Sequence, residues 1–354
     1  MYKILNVNQA ADLLQLDQGT VRRKIKSNEL PTLKTGRKSL ITNTSLEYYK
    51  FLDTHKKILE SIQTDAKVIS FVNHKGGCSK TTSAYTIAAL LNSFGNKVLF
   101  IDMDPQGNST QIVTEPFLND DGIIVPFQKT IKDLLLKKKN LDNVGKQNIY
   151  DVIIKSKFEF DMIPCDLSLN SVINDLENSS FKEVILKELI AEIADDYDYI
   201  IIDTPPTLGF SVVSSLTASD YVVIVTLAEA FSLVGVEQTV HLIESVRTKN
   251  MVLANPKLIE ILGVIVSKVE LNTNVSKYFI EELESFSYHN GINFIKDFMI
   301  PKTTKIPETQ ATGELITDVD PKGDAALNYF NIAMLLDMNI KKNKIKEKLS
   351  QDEF

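Results

Sequence analysis

The chain is short of cysteine. Cys78 and Cys165 are the only two among 354 residues, with no C-x-x-C pair and no metal-ligand spacing. That excludes a disulfide framework and a cysteine-built metal finger, and it points to a reducing compartment. Glycine and proline are also scarce, at 14 and 11 residues, which excludes collagenous and low-complexity chains. No apolar run approaches the roughly 18 residues that a membrane span requires. The opening MYKILNVNQAADLL is interrupted by polar and acidic side chains where a secretory leader is apolar, so a cytoplasmic protein is expected. Positive charge is in deficit too: the net charge is −7, and no general coat of positive potential surrounds the molecule. What is present is a 44 % hydrophobic share in a chain long enough for two domains, each with its own core.

The deficit is uneven. Residues 1–57 hold eleven basic side chains against five acidic ones, a balance of +6 that leaves −13 for the remainder. A small basic module beside a larger acidic one is the footprint of a nucleic-acid reader joined to something else. Within it, Val7, Ala10, Ala11, Leu14 and Leu16, then Val21 and Ile25, are spaced as two short helices, with Asn8 and Asp17 available as caps. Helix-turn-helix geometry puts the second helix in the major groove. Gln18, Thr20, Arg22, Arg23 and Lys24 are the residues it offers to DNA. TLKTGRKSLI then reads as a hairpin turning at Gly36, a wing whose Lys34, Arg37 and Lys38 reach phosphates. From Val7 to about Tyr49 the pattern resembles the winged helix-turn-helix family of excisionases and MerR-like proteins. The expected organisation is a small α-rich DNA-binding domain at 1–50, a helical linker at 51–66, a large domain at 67–340 and a polar tail at 341–354.

From Lys67 onward the texture changes. VISFV, KVLFID, FDMIP, DYIIIDTPP, YVVIV and ILGVIVS are short β-branched runs without alternation, separated by helix-like stretches. Such runs are strands buried on both faces, and their alternation with helices predicts a doubly wound, mostly parallel α/β sheet. NHKGGCSKTT follows the first run and opens a helix, the place where backbone N–H groups and a helix dipole meet a phosphate. The ordinary pattern G-x-x-x-x-G-K-[ST] fails at both glycines, where His74 and Ser79 stand. The chemistry survives: Gly76 and Gly77 admit close backbone approach, Lys80 reaches the β and γ phosphates, and Thr81 offers a hydroxyl to Mg²⁺.

The additional lysine gives the loop its character. Lys75-Gly76-Gly77-Cys78-Ser79-Lys80-Thr81 resembles the deviant Walker loop of the ParA and MinD ATPases, K-G-G-x-x-K-[TS]. The resemblance continues in order along residues 67 to 335. VLFIDMDPQGNST matches the second motif, IIIDTPP the Walker B region, and MIPKTTKIPETQATGELI the loop against the nucleotide base. It implies a P-loop NTPase that hydrolyses ATP to ADP with Mg²⁺. Lys75, Lys80 and Asp104 are its catalytic residues, with Lys75 reaching across a dimer to the partner's nucleotide in the manner of an arginine finger. Gly76, Gly77, Cys78, Ser79, Thr81, Thr82, Asp203, Pro301 and Lys302 complete the nucleotide set. Thr81, Asp102, Asp104 and Asp203 form the metal set.

The resemblance further implies a homodimer that sandwiches two ATP molecules, DNA binding, and slow hydrolysis stimulated by a ParB-like centromere-binding protein. The expected role is partition of a plasmid or similar replicon, nucleoid-associated when ATP is bound, with operator binding through the N-terminal module. For sequence-independent DNA binding, Lys268, Lys277, Lys302 and Lys305 are the candidates. A transcription regulator that uses ATP only as a switch is the alternative. A MinD-like membrane ATPase fits poorly, because IKKNKIKEKLSQDEF lacks the broad apolar face of an interfacial helix. A nitrogenase-reductase-like role lacks its paired cysteines.

Overall fold

The computed structural model describes residues 3–36, 38–62, 65–116, 127–140, 144–177, 182–252 and 258–352. Val7–Leu14 and Gln18–Lys26 form the expected pair of helices. Asn6, not Asn8, caps the first. Its side chain accepts the Gln9 N–H at 2.9 Å, and the Gln9 side chain returns to the Asn6 N–H at 2.9 Å. This reciprocal box needs its partner three residues downstream, which fixes the cap at Asn6 and leaves Asn8 inside the helix. Asp17 caps the second helix by accepting the Thr20 N–H at 2.9 Å.

Strands β1 (Ile4–Leu5), β2 (Leu33–Thr35) and β3 (Lys38–Thr42) make a small antiparallel sheet in the order β1-β3-β2. Gly36 turns the β2–β3 hairpin at φ +58°, a conformation a larger side chain resists. Ala10, Ala11, Val21, Leu30, Ile41 and Leu46 give this module a core of its own. Arg37, expected on the wing, lies outside the described residues.

The helix Asn43–Ser61 crosses the expected boundary at residue 50 without a break and fastens the small module to the large one. The Tyr48 hydroxyl donates to Asp337, a fully buried carboxylate that also accepts from the Tyr199 hydroxyl and from the Lys341 ammonium at 2.7 Å. Thr42 Oγ1 donates to Asn331 Oδ1 at 2.8 Å. A buried carboxylate without partners costs several kcal/mol, on the order quoted for unpaired buried ions. Tyr199 and Lys341 belong to the large domain, and the Tyr48 hydroxyl completes the set only while the module is docked. Leu33 and Tyr48 accordingly belong to the core of the large domain.

In that domain, β4 (Lys67–Val72), β5 (Val98–Asp102), β6 (Ile154–Lys155), β7 (Asp161–Ile163), β8 (Tyr199–Asp203), β9 (Tyr221–Leu227) and β10 (Glu260–Ser267) form one sheet. The order is β10-β9-β4-β8-β5-β7-β6, parallel throughout except for β6 on β7. Alternate residues serve opposite faces. Ile69 and Phe71 of β4 pack with the helices Lys80–Ser93 and Asp324–Asp352, while Val72 packs on the other face with Val222, Ile224 and Val264. Both faces are therefore covered and the sheet is doubly wound, as the unalternating runs required. The last helix does not stop at residue 340. It continues to Asp352 with Ile345 buried, and burial holds the Lys344 ammonium below its ordinary pKa, so residues 341–352 pack in part where a solvated tail was expected.

From β4 the chain moves to β5 on one side, and from β8 it moves to β9 on the other. That reversal opens a crevice at the carboxyl ends of the strands, the usual place for a ligand in such sheets.

Candidate active site

The loop between β4 and the helix Lys80–Ser93 lies in this crevice. Asn73 braces its start: its amide donates to the Val225 carbonyl at 2.6 Å, and its Oδ1 accepts the Lys75 N–H at 2.9 Å. Gly77 and Ser79 both adopt left-handed backbone, at φ +73° and +63°. Glycine does so freely, whereas an L-residue pays roughly 1–2 kcal/mol. Ser79, where the ordinary pattern has glycine, therefore keeps the loop's shape at an energetic cost. Its carbonyl accepts from Ser83 Oγ at 2.9 Å, a bond that secures the first helical turn.

The loop, Asp104, Asn108, Gln111, Pro206 and Lys268 surround a cleft of about 730 Å³. Its far wall comes from the helix Lys305–Thr312, through Ile306, Pro307, Gln310 and Ala311. Gln310 Nε2 donates to Thr82 Oγ1 at 2.6 Å, so this wall already touches the loop. Pro301 and Lys302, expected against the nucleotide, are not among the lining residues. Pro301 bridges to Val269, and Lys302 pairs with Glu270 outside the cleft. Lys305 pairs with Glu308 at 2.9 Å, so two of the four lysines considered for sequence-independent DNA binding are each matched by a glutamate. Lys277 is exposed.

The three aspartates divide by environment. Asp102 and Asp203 end adjacent strands as register partners, both fully buried. Asp102 is committed to the protein. Its Oδ1 accepts the Asp104 N–H at 3.0 Å, and its Oδ2 accepts the Thr110 N–H at 3.1 Å and the Thr110 hydroxyl at 2.7 Å. Expected to support the metal shell, it holds the turn that presents Asp104. Neither oxygen of Asp203 has a hydrogen-bond partner among the described residues. Burial pushes its pKa up to about 7, opposed by the Lys80 charge and reinforced by Asp102. A buried carboxylate left without partners fits a hydrated divalent cation shared with Thr81.

A raised carboxyl pKa makes the folded state hold its proton more tightly than the unfolded one. Stability is therefore lost as pH rises from about 4 to about 7. Asp203→Asn should then raise the melting temperature of the nucleotide-free protein at about pH 8, with a gain that shrinks toward about pH 5. Calorimetric melts at the two pH values check this, and equal melting temperatures at pH 8 contradict it.

Lys75 lies along the cleft edge with Nζ 2.6 Å from Glu229 Oε1 and 3.4 Å from the Ala230 carbonyl, in the loop after β9. Lys80 is buried at the helix start. Cys78 faces the core, and burial raises its thiol pKa, which leaves only its backbone for the cleft.

On the small module, Gln18, Arg22 and Arg23 are exposed on one short helix, and Lys34 and Lys38 on the hairpin. Arg23 donates to Thr20 Oγ1 at 2.8 Å, and Thr20 itself serves the Asp17 cap. Lys24 is drawn back by Glu29 and sits 5.5 Å over the Tyr49 ring.

Comparison with known proteins agrees with both parts. The AAA domain family matches residues 66–259, and the helix-turn-helix domain family matches residues 4–50. The sporulation initiation inhibitor protein Soj of Bacillus subtilis is 31 % identical over 75 % of this chain and 96 % of its own. The chromosome partitioning protein ParA of Caulobacter vibrioides is 28 % identical over 75 % of this chain and 92 % of its own. A putative plasmid partition protein of Borrelia burgdorferi, solved bound to AMPPNP, is 26 % identical with a TM-score of 0.60, covering 78 % of this chain and 99 % of that one. The chain belongs to the ParA/Soj-type family of AAA-domain ATPases and carries a helix-turn-helix domain at its N-terminus.

Proposed function

We propose that this chain is a partition ATPase that dimerises on ATP, reads DNA through its N-terminal module and hydrolyses ATP slowly. The observation that carries the reading is Lys75. It stands ahead of a complete loop with a second lysine, Lys80, yet its ammonium rests on Glu229 at 2.6 Å, at the cleft edge. A partly exposed cation in the cleft lining is free to turn toward a nucleotide held by another copy.

Thr81 and Asp203 would hold a hydrated Mg²⁺, which would supply charge neutralisation on the nucleotide's phosphates. The protein's own groups do the rest. Lys80 and the loop N–H groups orient the phosphates, Asp104 orients and accepts a proton from the attacking water, and the Asp102–Thr110 bonds keep Asp104 in place. Slow turnover follows because the site is completed only by dimerisation and by a ParB-like centromere-binding partner, so hydrolysis waits on assembly.

Operator binding is assigned to Gln18, Arg22, Arg23, Lys34 and Lys38, with Arg37 expected to join them, and it lets the protein regulate its own operon. The docking of that module through Tyr48 and Asp337 also suits the second reading, an ATP-sensing regulator with no segregation role. Replicon loss separates the two. In the native host, Lys75→Ala should raise loss of the encoding replicon per generation by at least about tenfold. An unchanged loss rate with altered operon expression favours the regulator.

A further inference from the structure

Directly after β10, Lys268 sits on backbone that resists a lysine, at φ +53°. Its ammonium donates to the Gly77 carbonyl at 2.7 Å, 191 residues away in sequence. The preceding residue does the same for the next carbonyl: Ser267 Oγ donates to the Cys78 carbonyl at 2.7 Å. Ser267 is fully buried and also lies 3.3 Å from the Thr226 carbonyl of β9, which makes it a fixed anchor.

Ser267 at the end of the edge strand and Lys268 directly after it thus reach past β9 and fasten two consecutive carbonyls of the phosphate loop. In a trans peptide the carbonyl and the following N–H point in opposite directions. Fastening the Gly77 and Cys78 carbonyls therefore fixes the directions of the Cys78 and Ser79 N–H groups, the kind of donor that cradles phosphate. Lys268 also lines the cleft, so its charge faces the same space as Lys75 and Lys80.

We propose that Lys268 is a positioning residue for nucleoside polyphosphates. Its ammonium holds the loop in its anion-binding shape and adds a third positive charge to the cleft. The inference rests on the ATPase reading above and adds to it a residue from outside the loop. It also moves Lys268 from the lysines considered for DNA to the nucleotide site.

The test is calorimetric titration of ADP and of ATP into the full chain and its Lys268→Met, Lys268→Gly and Lys268→Arg variants, with thermal melts alongside. The Met and Gly variants should bind both nucleotides at least about tenfold more weakly, the order expected for one lost hydrogen bond from a charged donor. The Arg variant should recover affinity to within about threefold of the parent. In the Gly variant, relief of left-handed strain opposes the greater freedom of its unfolded chain, so it should melt close to the parent and its lost affinity is then not a loss of folding. Parental affinity in the Met and Gly variants overturns the inference and leaves the ATPase reading intact. Weak binding that tracks a lowered melting temperature, without rescue by arginine, also overturns it. A parent protein that binds neither nucleotide overturns both.

Discussion

Lys75→Ala should bind ATP with close to the parent's affinity and remain a monomer when ATP is added. Within one chain the Lys75 ammonium is held by Glu229 and the Ala230 carbonyl, in a pair whose side chains are 30 % and 53 % exposed. Exposed pairs of this kind contribute about 0–1 kcal/mol. The lysine can therefore leave Glu229 at little cost when a better anion is offered. A cation supplied in trans to transferring phosphates is worth about 10³–10⁵ in rate in related phosphoryl transfers. Calorimetry and light scattering after gel filtration read the two halves of the prediction separately. A normal ATP-dependent dimer in Lys75→Ala removes the role assigned to this residue. Glu229→Gln should shift the same equilibrium the other way, by no more than about fivefold, because only an exposed pair is lost.

Asp104→Ala should leave ATP binding and dimerisation in place while lowering hydrolysis by about 10²–10⁴, the usual contribution of a positioned general base. The geometry is specific to Asp104. It lines the cleft and is 6 % exposed, with its Oδ1 accepting the Gln106 N–H at 3.0 Å. Its backbone N–H is tied to Asp102, which is tied in turn to Thr110. Thr110→Val keeps the shape and removes the hydroxyl, so it should cost far less than the loss of Asp104 itself. Single-turnover assays distinguish the two, and a hydrolysis rate unchanged by Asp104→Ala contradicts the assignment.

The large sheet was legible because strands buried on both faces are written as unbroken β-branched runs. β6 and β1 were not, being two-residue strands that exist only through pairing with β7 and β3. The phosphate loop was legible because its chemistry is local: two glycines, two lysines and a threonine within seven residues. The opposite wall of the cleft was not. The segment from Met299 to Ile316 announces a loop near the nucleotide, but only the pairing of Pro301 with Val269 decides that Ile306 and Gln310, not Pro301 and Lys302, line the cleft. The resemblance separated Asp104 from Asp102 in DMDPQ, but the three internal donors that hold Asp102 are a property of the fold. Lys268 left no local signal, since a left-handed lysine bonded 191 residues away is a property of the fold. The charge count pointed to the segment that the helix-turn-helix family matches, but it could not foresee that Glu29 withdraws Lys24 from the exposed face.

The central claim is that ATP held by one chain recruits a second. Sedimentation velocity of the full chain with Mg²⁺ and either ADP or a slowly hydrolysed ATP analogue tests it most directly. The expected result is a monomer of 39.7 kDa with ADP and a species of twice that mass with the analogue. A monomer in both, at concentrations that saturate the nucleotide site, contradicts it.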